Sequence, residues 1–302
     1  MANSFSLITN YVDALDEAYR LGSLTSSLDN TALSMEAEQA NQIKIAKMAL
    51  QGLGDYSRSS GYVSGDATLT WETHTFSQDR GRKFAVDSMD DMETAKNGFG
   101  RLAGEFIRNY VVKELDAYRF ATLYGKASNK VSADITTSAA ALTALDVAES
   151  AMNEAEVPEE GRKLFMSDAF YTLLKNSATL SRDFNLMNSK KLDRTFLAFD
   201  GMEVIRVPKT RFYTAITQYN GSTAGQEDGG YIKNVSTGKD MNFMIVQPNA
   251  IAYQGIKHAV NKIVTPEMNQ SSDAYLFFYR LYHDMFVYDN KVDGIYSHYK
   301  TT

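Results

Sequence analysis

The chain has no cysteine, which excludes disulfides and thiolate metal sites and fits a reducing compartment. It has no excess of basic charge. A net charge of −6 argues against a dedicated nucleic-acid binder, though not against a container that encloses nucleic acid. It also has no long hydrophobic run: residues 243–246 and 275–279 are far too short to span a bilayer, so no membrane partner is expected. Residues 1–6 lack a basic stretch followed by an apolar one, so no secretion signal is evident. No repeat occurs at a fixed period. Proline is scarce, at four, against 18 tyrosines. What is present is an ordinary soluble balance of 44% hydrophobic and 23% charged residues, enough to build a core without staples. A length of 302 residues favours about two domains.

Residues 90–125 organise the chain. They predict one long helix, with Met92, Ala95, Phe99, Ala103, Phe106, Tyr110, Ala117, Ala121 and Tyr124 on one side. Leu102, Ile107 and Val111 flank that side, and Arg101, Glu105, Arg108, Asp116 and Arg119 lie opposite. Lys113 and Glu114 interrupt the stripe. Asp90 with Glu93 forms a capping pair, and Gly125 is the expected stop. Such a rod would measure roughly 50 Å, longer than a compact domain of this size needs.

Before the rod, residues 7–21 and 32–42 predict short helical pieces of an arm that needs a partner surface. Residues 43–50 and 67–76 predict strands, separated by a loop carrying Gly52, Gly54, Gly61 and Gly65. The result is a long hairpin with too little apolar content at its tip to pack a core. A second turn is expected at 77–82 and a strand at 83–89. After the rod, residues 126–138 read as polar. A helix at 139–156, a turn at 158–161, a strand at 163–166 and a helix at 169–176 capped by Ser167 or Asp168 resemble a separate small unit. Residues 180–197 are ambiguous. Strands follow at 201–207 and 242–246, with a glycine-rich loop at 218–230 between them. Another strand is expected at 257–264. Residues 273–299 are the most β-like: both faces are apolar or aromatic, which predicts a strand covered on two sides.

Motifs for chemistry are weak. Gly98, Gly100 and Ala103 satisfy a loose dinucleotide pattern, but that pattern needs a strand-to-helix turn, and here it falls inside the rod. Residues 289–300 resemble the start of a calcium loop, yet Lys291 and Lys300 occupy ligand positions, so a plain turn is expected. His74, His258, His283 and His298 show no zinc-helix spacing, and a surface or interface position is expected for them. His283 and Asp284 are adjacent and should point to opposite faces of a strand. The clusters at 80–83 and 190–191 read as solvated turns or, alternatively, subunit contacts. No catalytic residue, cofactor site or metal site is predicted.

A resemblance runs through several short stretches taken in order. Gly52 to Tyr56, Gly61 to Val63, Gly65-Asp66 and Trp71 to Thr73 belong to it, as do Asp79 to Arg82 and Phe84 to Asp90. Leu115 to Arg119, Val157-Pro158, Gly161-Arg162, Tyr282 to Asp284 and Gly294 to Tyr296 complete it. Together they resemble the major capsid proteins of tailed bacteriophages with the HK97-type fold, over most of the chain from about residue 45. The resemblance implies an α+β chain with an N-terminal arm (1–42) and an extended β-hairpin loop (43–82). A peripheral domain with its spine helix (83–127 and 241–302) and a separate axial α/β domain (128–240) complete the implied anatomy. It implies self-assembly through pentamers and hexamers into an icosahedral shell, assembled in the host bacterial cytoplasm, around double-stranded DNA held without sequence-specific contacts. Implied partners are a portal protein and, since no long leading segment precedes the arm, a separate scaffolding protein, unless the chain is a mature form. Candidate subunit contacts are Tyr56, Arg58, Tyr62, Trp71, Arg80, Arg82, Tyr282 and His283. The hairpin tip and arm are expected to bury surface only against other subunits. Some relatives join subunits by a lysine–asparagine bond; Lys44, Lys47 and Lys83 lie near the loop, but no motif selects one. Two rivals are a bacterial nanocompartment shell of the same fold and a soluble α+β enzyme, for which no pair of titrating groups stands out.

Overall fold

A computed structural model of the chain describes residues 22–30, 42–89, 103–177 and 198–301. The predicted helix at 7–21, most of that at 32–42, the start of the rod, residues 180–197 and Lys190-Lys191 lie outside the described residues.

Within them, the rod runs helical through 103–126, about 36 Å, with a π-helical turn at Ile107–Val111 followed by α1 (Val112–Lys126). The π turn inserts extra arc and shifts the buried face. The buried residues are Ala103, Ile107, Val111, Val112, Leu115, Asp116, Ala117, Arg119, Phe120 and Leu123. Tyr110, expected inside, is 60% exposed, and Asp116 and Arg119, expected outside, are buried. The helix also passes through Gly125 and ends at Ala127, whose N–H donates to the carbonyls of Leu123 and Tyr124.

The rod joins two sheets. The first has the order β11-β12-β3, all antiparallel, from β3 (Gln78–Asp87), β11 (Ile251–Val264) and β12 (Ala274–Val287). Ala103, Ile107, Val111 and Leu115 pack on its Phe277, Tyr279 and Leu281. The second has the order β4-β13-β10-β5-β7-β6. Its strands are β4 (Asn129–Ser132), β5 (Lys163–Ser167), β6 (Ala198–Phe199), β7 (Met202–Val207), β10 (Met241–Val246) and β13 (Ile295–Tyr299). Phe120 and Leu123 of the rod lie with Phe165, Met244 and Val246 on one face of it. The helices α2 (Ser138–Glu154) and α3 (Asp168–Lys175) cover Leu164, Met166, Phe243 and Ile245 on the other. Alternate residues of β10 thus enter two cores, which is why the whole strand is buried. Ser167 caps α3 by accepting from Phe170 N–H, as expected.

Several boundaries differ from expectation. The turn predicted at 77–82 is strand from Gln78, leaving only Phe76 and Ser77 between the strand that ends at Thr75 and β3. The polar stretch 126–138 contains β4, which adds in parallel to β13. Residues 251–264 form one strand, bulged between Ile256 and His258. The six-stranded sheet also crosses the expected boundary at 240, since β10 lies between β5 and β13.

Candidate assembly surfaces

The hairpin pairs β1 (Gln42–Leu50) with β2 (Ala67–Thr75) in an unbroken antiparallel register, with Ala46 opposite Trp71, Met48 opposite Leu69 and Leu50 opposite Ala67. Residues opposite one another share a face. Near the root, the other face carries Ile43 and Ile45, 1% and 3% exposed, packed with Phe76, Ala252 and Tyr253. Farther out that face turns polar, with Lys47 paired to Glu72 at 3.3 Å. Meanwhile Met48, Leu50, Leu69 and Trp71 are 61%, 70%, 54% and 54% exposed on the first face. An isolated two-stranded ribbon is marginal in water, and a contiguous apolar face on one marks a contact surface. Covering what remains exposed would contribute on the order of 1 kcal/mol per side chain. At the tip, Ser57 and Gly61 exchange backbone hydrogen bonds, Gly61 taking a positive φ of 81°. Tyr56 and Tyr62 meet with ring centroids 4.8 Å apart, while Leu53 and Val63 face solvent.

The hairpin's hinge is pinned from below. The Asp284 carboxylate on β12 accepts from Ser77 N–H at 2.8 Å, Ser77 Oγ at 3.1 Å and the Tyr118 hydroxyl of the rod at 2.6 Å. Burial, and then the Asp284 charge, push the Tyr118 phenol above its ordinary range. Asp284 also accepts from Met285 N–H, so its oxygens are committed to structure rather than to His283.

The described part of the arm, residues 22–30, lies on its own chain, contrary to the expectation that the arm buries only against other subunits. Asp116, fully buried, accepts from Ser23 Oγ (2.8 Å), Leu24 N–H (3.1 Å), Thr25 Oγ1 (2.7 Å) and Arg211 Nη1 (3.0 Å). Arg119 donates to Thr25 Oγ1 at 2.9 Å and pairs with Asp29 at 3.1 Å. Leu28 enters the core beside the rod.

Two arginines of β3 reach the loop between β8 (Ile216–Gln218) and β9 (Tyr231–Lys233). Arg80 donates to Glu114 of the rod at 2.7 Å and to the Gly230 carbonyl at 3.3 Å. Arg82 donates to the carbonyls of Asp228 and Glu227. The cluster at 80–83 is therefore strand, and its arginines strap a glycine-rich loop; it is not a turn.

Of the predicted contact residues, Tyr56, Arg58, Tyr62 and Trp71 lie together on the exposed hairpin. Arg80 and Arg82 are engaged within the chain, and the Tyr282 hydroxyl donates to the Phe76 carbonyl at 3.4 Å. His283 is a correction: it is 3% exposed, with its ring 5.5 Å from that of Tyr118. Burial first, then the Arg119 and Arg80 guanidiniums, push its pKa down to about 3, so it stays neutral. His298 is buried as well, whereas His258 is exposed as expected. Asp116, Arg119, Arg211, Tyr118, Asp284 and Ser77 were missed. Asp116, Tyr118, Arg119 and Asp284 lie within the stretches that carry the resemblance, but neither those stretches nor the charges and hydroxyls in them name any partner.

Among the described residues, no helix is long and apolar enough to cross a membrane, and no cluster of three or more metal-ligating side chains occurs. No protein-family model matches the sequence, and no curated protein does. Solved structures do. The chain is similar to one from the mature capsid of bacteriophage PhiM1, at TM-score 0.61 and 11% identity, over 88% of this chain and 83% of that one. It is similar to one from Mycobacterium phage Che8, at TM-score 0.60 and 13% identity over 92% and 90%. A third, from the virus-like particle of Pyrococcus furiosus, matches at TM-score 0.55 and 11% identity over 95% and 97%. Together with the rod and its two sheets, these likenesses define the fold as the HK97-type capsid fold.

Proposed function

We propose that this chain is the major capsid protein of a tailed bacteriophage. It builds the icosahedral head around double-stranded DNA and acts structurally rather than as an enzyme. The observation that carries this is the exposed apolar face of the hairpin, Met48, Leu50, Leu69 and Trp71, on a fold shared with a mature phage capsid. Such a face marks a contact surface that gains stability when another surface covers it, and closed symmetry repeats that contact around a shell. Sister copies supply the cover, in pentamers and hexamers, and Tyr56, Arg58, Tyr62 and Trp71 lie at the contact. A scaffolding protein and a portal protein are the expected partners, DNA is enclosed without sequence reading, and assembly takes place in the host bacterial cytoplasm before the chain resides in the virion. Residues 1–42 serve as the arm and 43–82 as the extended loop. The axial part comprises 128–240 together with the strands that complete its sheet.

The likeness to the Pyrococcus furiosus particle favours a second reading, a nanocompartment shell that holds a cargo enzyme. Genes for portal and terminase beside this one, as against a cargo enzyme with a docking tail, separate the two. Electron microscopy of the purified full chain, alone and with a scaffolding partner, tests both. Shells, pentamers or hexamers are expected. A small monodisperse particle under both conditions would overturn both.

A further inference from the structure

The roots of the two limbs are held by one short stretch of the rod. Asp116 and Arg119 face the arm, bonding Ser23, Leu24, Thr25 and Asp29. Tyr118, some 160° round the helix from Asp116, reaches the hairpin hinge by way of Asp284 and Ser77. The same two roots meet again on the sheet. Gln254 of β11 donates to the Thr25 carbonyl at 2.7 Å and to Asp29 at 3.0 Å, and its backbone exchanges hydrogen bonds of 2.9 Å with Asn30. Ala252 and Tyr253, just before it, carry the hairpin's Ile43, Ile45 and Phe76. In the β11–β12 register Gln254 pairs with Met285 and Gly255 with Asp284. The contacts therefore close a ring, from arm to Gln254, across the ladder to Asp284, through Tyr118 to the rod, and back through Asp116 and Arg119 to the arm. The hinge is bonded into that ring at Ser77.

The geometry points to a mechanical coupling between arm and hairpin: loosening Thr25 from the rod loosens the hinge at Ser77, and loosening the hinge frees the arm. Close-packed interiors pass such displacements on, and the effect is reciprocal. The coupling stands on contacts within one chain. Its use in assembly, where a sister copy's grip on the hairpin is felt at the arm, rests on the shell function proposed above.

Hydrogen–deuterium exchange of the full chain, unassembled, tests it without any shell. Thr25→Val removes the hydroxyl that donates to Asp116 and accepts from Arg119. Exchange in residues 22–30 and also in 42–46 and 73–77 is expected to rise at least about fivefold, the change in opening equilibrium for a single lost buried hydrogen bond, since two are removed. Tyr118→Phe, which removes only the hydroxyl bonded to Asp284, is expected to speed exchange in 22–30 by a similar factor. Thr25→Ser keeps the hydroxyl and should leave both limbs as they are. If each variant speeds exchange only in its own limb, the coupling is overturned. Should Thr25→Val not fold, Ser77→Ala beside Tyr118→Phe decides the matter: unchanged exchange in 22–30 in both overturns the coupling. Failure to form shells with the coupling intact counts only against the shell function.

Discussion

A buried carboxylate costs several kcal/mol unless its oxygens are filled, and Asp116 and Asp284 are filled by backbone N–H, hydroxyl and guanidinium donors from distant stretches. His283 solves the same problem by staying neutral. Its pKa is about 3 in the fold against 6.5 when free. Between those values the unfolded chain binds a proton that the folded chain does not, so stability is fully present above the upper value and is lost as pH falls through the window. The slope from this one group is on the order of 1 kcal/mol per pH unit. Urea unfolding of the unassembled chain at about pH 7 and about pH 5 should show it, and His283→Gln should flatten the difference between the two conditions. An unchanged difference would mean that His283 is protonated in the fold.

The hairpin is an element whose two ends obey different rules. Its root is held by Ile43 and Ile45 in the core, and its outer half presents Met48, Leu69 and Trp71 to solvent. Substituting those three by serine or threonine removes side chains that are more than half exposed. The unfolding free energy of the unassembled chain, from urea titration, should therefore change by no more than about 0.5 kcal/mol per site, while sedimentation and microscopy should show shell formation lost. Shells formed as readily by that triple variant would mean that the face has another use. The alternation of Leu69, Trp71 and Thr73 against Thr70, Glu72 and His74 was legible in the sequence, because a period of two needs no partner to be seen. Which face the root would bury was not, since Ile43 and Ile45 sit on the opposite side from Trp71, and Tyr253, which covers them, lies more than 200 residues downstream.

In the molecule as a whole, the rod spans two sheets, and the six-stranded one is assembled from stretches scattered between residues 129 and 299. Of that sheet, the chain between 128 and 240 contains β4, β5, β6 and β7 but not β10, against which β5 pairs, nor β13, on which β4 depends. Residues 128–240 expressed alone should therefore lack a cooperative unfolding transition by circular dichroism, with Leu164, Phe165 and Met166 left without the strand beside them. A sharp two-state transition in that fragment would show that the sheet closes without β10 and β13.

The sequence alone determined the periodic elements: the rod over its described part, 103–126, the hairpin with its glycine tip, the helices at 139–156 and 169–176, and the ordered short stretches that resemble a capsid protein. Those are local patterns of spacing and turn chemistry, readable within a few residues. The tertiary structure decided the face the rod buries, because a π turn shifts its phase, and the fate of Asp116, Arg119 and His283, because burial of a polar group depends on a partner from far along the chain. It also decided which strands share a sheet, since pairing is set by the core they jointly close and leaves no mark in the spacing of any one of them.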